Sequence, residues 1–228
     1  MSKITSRQPS TGGRVLRIRW HGHACFEVGG SVTVVTDPHD GKSIGIAPPR
    51  VKADVVLVSH NHFDHNCVRL VSKQESAVIA KPVMTVEHGV RIEGIESFHD
   101  EQGGAKRGNN TIFRFELDGT TFCHLGDLGH AVGDDIADRI GNVDVLFVPV
   151  GDVFTIGPET ARGVIERIGP RVAIPMHYRT AGLSLSVKPL ENFLALCPKD
   201  QIVKVGNEVD FADDDMPSKG TEFWIFTP

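Results

Sequence analysis

A chain of 228 residues is long enough for one sizeable buried core, and 40% hydrophobic against 23% charged residues, with 24 Gly and 13 Pro, excludes a disordered or fibrous protein. A formal net charge of -5, from 24 basic and 29 acidic residues, gives no electrostatic footprint for gripping a phosphate backbone, which argues against nucleic acid as a partner. Four widely spaced cysteines, no apolar leader and apolar runs too short for a bilayer point to free thiols in the cytoplasm, away from membranes.

Residues 1–13 are polar and read as a flexible tail, with residues 14–228 expected to form one domain. From Val15 the pattern alternates: VLRIRW, then CFEV, then SVTVVT up to the breaker DPHDG predict an opening set of antiparallel strands. ADVVLVS, from Ala53 to Ser59, is a β-branched run typical of a strand buried on both faces. Further strands are expected near Ala77–Ala80, Val90–Phe98, Thr111–Leu117 and Thr120–Leu125, the last two joined by the hairpin dipeptide Asp118-Gly119. Val143–Val150 is another buried strand, followed by a helix over Pro158–Ile168 with proline at its first position. A strand at Arg171–Met176, a helix at Pro189–Leu196, and strands at Val203–Val205, Val209–Ala212 and Glu222–Phe226 complete the reading. The fold class expected is α/β: a layered sandwich of two mainly antiparallel sheets with helices outside.

The buried run at Ala53–Ser59 ends at the densest chemistry in the chain, His60-Asn61-His62-Phe63-Asp64-His65, an HxHxDH pattern. Two histidines two apart in a loop leaving a strand can aim at one metal ion, while Asp64 and His65 turn toward a neighbouring one. Imidazole and carboxylate suit Zn²⁺, and Mn²⁺ or Fe tolerate the same ligands. The bland alternative is a solvated polar loop, although three clustered histidines serve no packing purpose.

With this motif the sequence resembles the metallo-β-lactamase fold hydrolases, whose four-layer αββα sandwich holds one or two metals at the edges of its sheets. The resemblance runs from Val15 to about Phe193 and rests on TDP at Asp37, the HxHxDH cluster, SFHD at His99, HLGDL at Asp127 and IPMHY at His177. It implies that His60, His62 and His99 hold a first ion, that Asp64, His65 and His177 hold a second, and that Asp127 bridges them. WHGHACF from Trp20 and PVGDVFTIGP from Pro149 are similar to the small metal-dependent hydrolases related to L-ascorbate-6-phosphate lactonase and to N-acyl-phosphatidylethanolamine phospholipase D.

The resemblance implies a metal-dependent hydrolase in which two divalent ions, about 3.5–4 Å apart, would provide a bridging hydroxide oriented by Asp64 or Asp127. The bond cleaved would be a lactone, ester, amide or phosphodiester of a small molecule. The rival reading is a non-catalytic metal-binding or scaffold protein on the same fold, and self-association into a homo-oligomer stays open.

His124 competes with His99 for the first ion, and the strand pleat favours His99 by setting His124 one level deeper. Asp37, before Pro38, is expected to orient a ligand histidine rather than to ligate. His23 lies either near the site or merely half buried. The stretch from Gly151 through Thr155 ends at a helix N-terminus, where backbone amides can meet an anionic substrate; alternatively Thr155 or Gly157 simply caps that helix.

Overall fold

A computed structural model describes residues 14–227, so the tail expected over residues 1–13 lies outside the described residues, as does Pro228. The alternating opening segments pair as expected into β1 (Leu16–Trp20), β2 (Phe26–Gly29) and β3 (Thr33–Thr36). With β4 (Ala53–Leu57), β5 (Ser72–Ile79) and the late β13 (Glu208–Phe211) they form a six-stranded sheet in the order β13-β1-β2-β3-β4-β5. The second sheet has eight strands, in the order β12-β14-β11-β10-β9-β8-β7-β6. Its members are β6 (Met84–Glu87), β7 (Val90–Phe98), β8 (Asn109–Leu117), β9 (Thr120–His124), β10 (Val145–Pro149), β11 (Val172–Met176), β12 (Ile202–Gly206) and β14 (Glu222–Phe226).

The expectation of mainly antiparallel sheets needs correction, because each sheet is mixed. The β13-β1-β2-β3 end of the first sheet is antiparallel and β3-β4-β5 is parallel. In the second, β12-β14-β11-β10-β9 is parallel and β9-β8-β7-β6 antiparallel. The parallel strands are the continuous apolar runs, such as VLFVP in β10, buried at every position as a strand covered on both faces must be.

Aromatic side chains fill the space between the sheets. Phe26 of the first sheet meets Phe147 of the second with ring centroids 4.6 Å apart, and Phe226 edge-on at 5.9 Å. A smaller cluster including Val35, Val56 and Val71 covers the outer face of the first sheet, under the single turn of α1 (Val68–Val71). The outer face of the second sheet carries α2 (Asp134–Ile140), α3 (Pro158–Ile168) and α4 (Glu191–Leu194).

α3 has the bounds read from the sequence. Pro158 starts it, Gly169 ends it in a left-handed conformation at φ 64°, and Ala161, Val164 and Ile165 form its buried stripe. Each buried Val or Ile on that stripe contributes about 1.5–3 kcal/mol. The helix expected over Pro189–Leu196 is shorter, reduced to one turn at α4. α1, α2 and the edge strand β6 carry no expectation from sequence. No helix among the described residues is long and apolar enough to cross a membrane.

Candidate metal centre

The mixed sheets bring the C-terminal ends of β1, β3, β4, β7, β9 and β11 to one edge of the sandwich, and the chemistry-bearing residues follow those ends. β1 leads to His23, β3 to Asp37, β4 to the loop of His60, His62, Asp64 and His65, β7 to His99, β9 to Asp127, and β11 to His177. Such a crevice beyond strand ends is where open α/β sheets bind ligands. His23, Asp37 and His177 have φ of 55°, 40° and 55°, a left-handed backbone that non-glycine residues rarely adopt and that concentrates at functional sites.

The structure brings all seven predicted ligands together, six of them in two groups, and a third grouping of Asp37, His60 and His65 overlaps both. His60, His62 and His99 form one, with His60 Nε2 and His62 Nδ1 2.9 Å apart. Asp64, His65 and His177 form the other, and His23 joins them with its Nε2 3.1 Å from Asp64 Oδ2. Between the groups lies Asp127, whose Oδ2 is 3.2 Å from Nε2 of both His99 and His177, 3.3 Å from that of His65 and 3.8 Å from that of His60. Donor atoms around one tetrahedral Zn²⁺ sit about 3.3 Å apart, given Zn–N distances of about 2.0–2.1 Å. The buried His65 Nε2 and Asp127 Oδ1 have no hydrogen-bond partner, so the donor set fits a metal by spacing and by need.

Outer hydrogen bonds fix which nitrogen faces inward in His65 and His60. Asp37 Oδ2 accepts from His65 Nδ1 at 3.0 Å, which leaves His65 Nε2 free to ligate. The Ser59 hydroxyl donates to the same Asp37 oxygen at 2.7 Å and, 2.8 Å from His60 Nδ1, accepts that ring's proton, turning His60 Nε2 toward the cluster. Sequence reasoning missed Ser59, although it directly precedes the motif. It also missed Asn110 on β8, whose side chain accepts from the Asp127 N–H at 2.9 Å and donates to Leu125 O, clamping the turn that presents Asp127. Neither residue type carries a signal of its own in a sequence.

His124 is the last residue of β9 and points into the protein. Its Nε2 donates to Ala24 O at 3.0 Å and its Nδ1 accepts from the Gly126 N–H at 3.1 Å, so neither nitrogen remains for a metal. His23 is fully buried. Gly151 packs against the backbone of His177, where a Cβ would overlap the carbonyl oxygen. Thr155 bonds to Ile156 O, and Gly157 is the cap of α3.

Burial pushes the pKa of His60 and of His23 down to about 3, which keeps both rings in the neutral, ligating form. His65 moves the other way. Burial opposes its charge, but Asp127 and Asp37 on either side raise it well above 6.5, marking a point that calls for a cation. Asp127 is held well below the ordinary carboxylate value, because His177 and His65 outweigh its burial.

A cavity of about 390 Å³ opens over the cluster. Asp64, Asp127, His62, His99 and His177 line its floor, and Phe63, Phe154, Leu185, Lys106 and Arg107 its rim. Sequence reasoning did not single out Lys106 or Arg107.

Residues 17–177 match the family model described as a beta-lactamase superfamily domain. A UPF0173 metal-dependent hydrolase of Pelotomaculum thermopropionicum is 31% identical over 194 residues, covering 72% of this chain and 85% of that one. A crystal structure from Thermotoga maritima, named for a Zn-dependent hydrolase of the metallo-beta-lactamase superfamily, is 37% identical with a TM-score of 0.76, over 93% of this chain and 100% of that one. CmlA, a diiron beta-hydroxylase from Streptomyces venezuelae, shares only the fold, at 13% identity and a TM-score of 0.58 over 90% of this chain and 55% of that one.

Proposed function

This chain belongs to the beta-lactamase superfamily, and from that premise we propose that it is a metal-dependent hydrolase that uses two divalent ions to cleave a lactone, ester, amide or phosphodiester of a small molecule. The observation that carries the reading is the position of Asp127 Oδ2 among four imidazoles drawn from both ligand groups. His60, His62 and His99 would hold one ion, Asp64, His65 and His177 the other, with Asp127 shared. The all-imidazole and carboxylate donor set favours Zn²⁺ and tolerates Mn²⁺ or Fe. When bound, the ions supply Lewis-acid activation of water and of the oxygen under attack.

The remaining work falls to the chain. Asp64, held at Oδ2 by His23 Nε2, keeps its carboxylate in the cavity lining, where it would orient the attacking water. Phe63, Phe154 and Leu185 exclude solvent around the scissile group. Among the described residues the cavity lining holds no serine or cysteine, in keeping with water as the nucleophile of this reading.

The test is elemental analysis after metal reconstitution, followed by a panel of lactones, esters, amides and bis-p-nitrophenyl phosphate. About two metal equivalents and hydrolysis of at least one class are expected. Metal uptake without hydrolysis of any class would favour the non-catalytic metal-binding reading, and trace metal alone would overturn both.

A further inference from the structure

The loop that follows His99 folds back on itself around one carboxylate. Asp100 Oδ1 accepts the N–H groups of Gln102 and Gly104 at 2.7 and 3.0 Å, and Oδ2 those of Lys106 and Arg107 at 2.9 and 2.7 Å. Gly103, Gly104 and Gly108 have positive φ, which lets the chain curl this tightly, and His99 N–H closes the loop on Gly108 O at 3.0 Å. The residue next to a proposed metal ligand therefore fixes the backbone of two basic residues.

Both cations reach the rim of the cavity above the metal cluster. The Arg107 guanidinium lies over the ring of Phe154, 5.3 Å from its centroid, which restrains it while leaving its in-plane N–H fork open. Among the described residues neither Lys106 nor Arg107 forms an ion pair. Glu101, Asp152 and Glu159 line an adjoining hollow that the two cations also border, but the wall shared with the metal cluster is otherwise apolar, with Phe63 58% exposed.

We infer that Lys106 and Arg107 form a subsite for an anionic group of the substrate, a carboxylate or phosphate carried in addition to the group under attack. The inference rests on the proposed hydrolytic reading only for where the reacting group sits. A planar fork restrained on an aromatic face suits bidentate capture of such an oxyanion, and charge-assisted hydrogen bonds of this kind are the strong ones. The substrate class narrows accordingly, to esters, lactones, amides or phosphodiesters that bear an anionic group apart from the scissile bond, beside an apolar portion resting on Phe63 and Phe154.

The experiment uses zinc-loaded full-length protein and calorimetric titration of two matched series. Phosphonoacetate, 3-phosphonopropionate and 4-phosphonobutyrate place a carboxylate at increasing distance from a phosphonate, and alkylphosphonates of matched length lack it. At least one phosphonocarboxylate is expected to bind about tenfold or more tightly than its alkyl counterpart. That ratio should fall toward one in Arg107→Gln and Lys106→Gln, and in Asp100→Asn, which frees the loop, with bound zinc unchanged. Equal affinity at every length, or a ratio that survives all three substitutions, would overturn the subsite. If the ratio is present but no class of bond is hydrolysed, the anion subsite stands and the hydrolytic reading falls.

Discussion

The two ligand groups at the sheet edge are made of different chemistry. His60, His62 and His99 are imidazoles alone, and His62 is more exposed than the other two. The second group, with Asp64, His65, His177 and the adjoining His23, is buried throughout and holds its carboxylate in the protein interior. Neutral imidazoles cost little to bury and can hold an ion with no balancing charge, whereas a buried carboxylate is stable only beside a compensating cation. The first group should therefore bind metal independently, and the second should depend on Asp127 and on charge balance.

Asp127→Ala tests that dependence most severely. Bound metal should fall from about two equivalents to about one, and hydrolysis should drop by more than the roughly 10–100-fold typical of losing an outer partner. Two metals with wild-type rates would show that the groups do not share this residue. His99→Ala should remove the ion of the first group, while His124→Ala should leave metal content alone and lower stability by about 1–3 kcal/mol, since Ala24 O and the Gly126 N–H lose their partner. The opposite ranking in a metal titration would exchange their roles.

Ser59→Ala sharpens the comparison, because it cuts the link from Asp37 to His60 while the bond from Asp37 to His65 remains. Metal affinity of the first group should weaken by about 10–100-fold and that of the second much less. The smallest effect concerns the loop after His99. Burial raises the Asp100 pKa, but four backbone N–H groups outweigh it and hold it at about 2. A depressed carboxylate pKa stabilises the loop above its unfolded value of 3.8 and loses that contribution as the pH falls through about 2. Hydrogen exchange at Gln102, Gly104, Lys106 and Arg107 should stay protected at pH 4 and lose protection as the pH drops toward 2.

What the sequence made legible was local. HxHxDH packs four candidate ligands into six residues, and Pro158 and Gly169 punctuate α3 at its true ends. His99, Asp127 and His177 are single residues in unrelated segments, and only family resemblance linked them to the motif. The parallel halves of the sheets were misread because strand direction is set by long-range connections, while apolar alternation reports only burial. α2 escaped notice because DDIADRI is short, acidic and buries only Ile140. β6 is an exposed edge of only four residues whose alternation is inverted, with apolar Met84 73% and Val86 64% accessible while Thr85 and Glu87 are half-buried, so its pattern carries no core signal.

The delivery of ligands by separate strand ends has a mechanical meaning. β4 belongs to one sheet, and β7, β9 and β11 to the other. Ions held by residues from both would act as a clasp across the open edge of the sandwich, adding to the side-chain packing and the few hydrogen bonds, such as Ser31 N–H to Asp118, that join the layers elsewhere. In the unfolded chain the HxHxDH loop alone keeps its ligands near one another, so most of the affinity for metal is also free energy of folding. At free metal about 1,000 times the dissociation constant that linkage amounts to about 4 kcal/mol. Chelation would then loosen the molecule first where its two sheets gape.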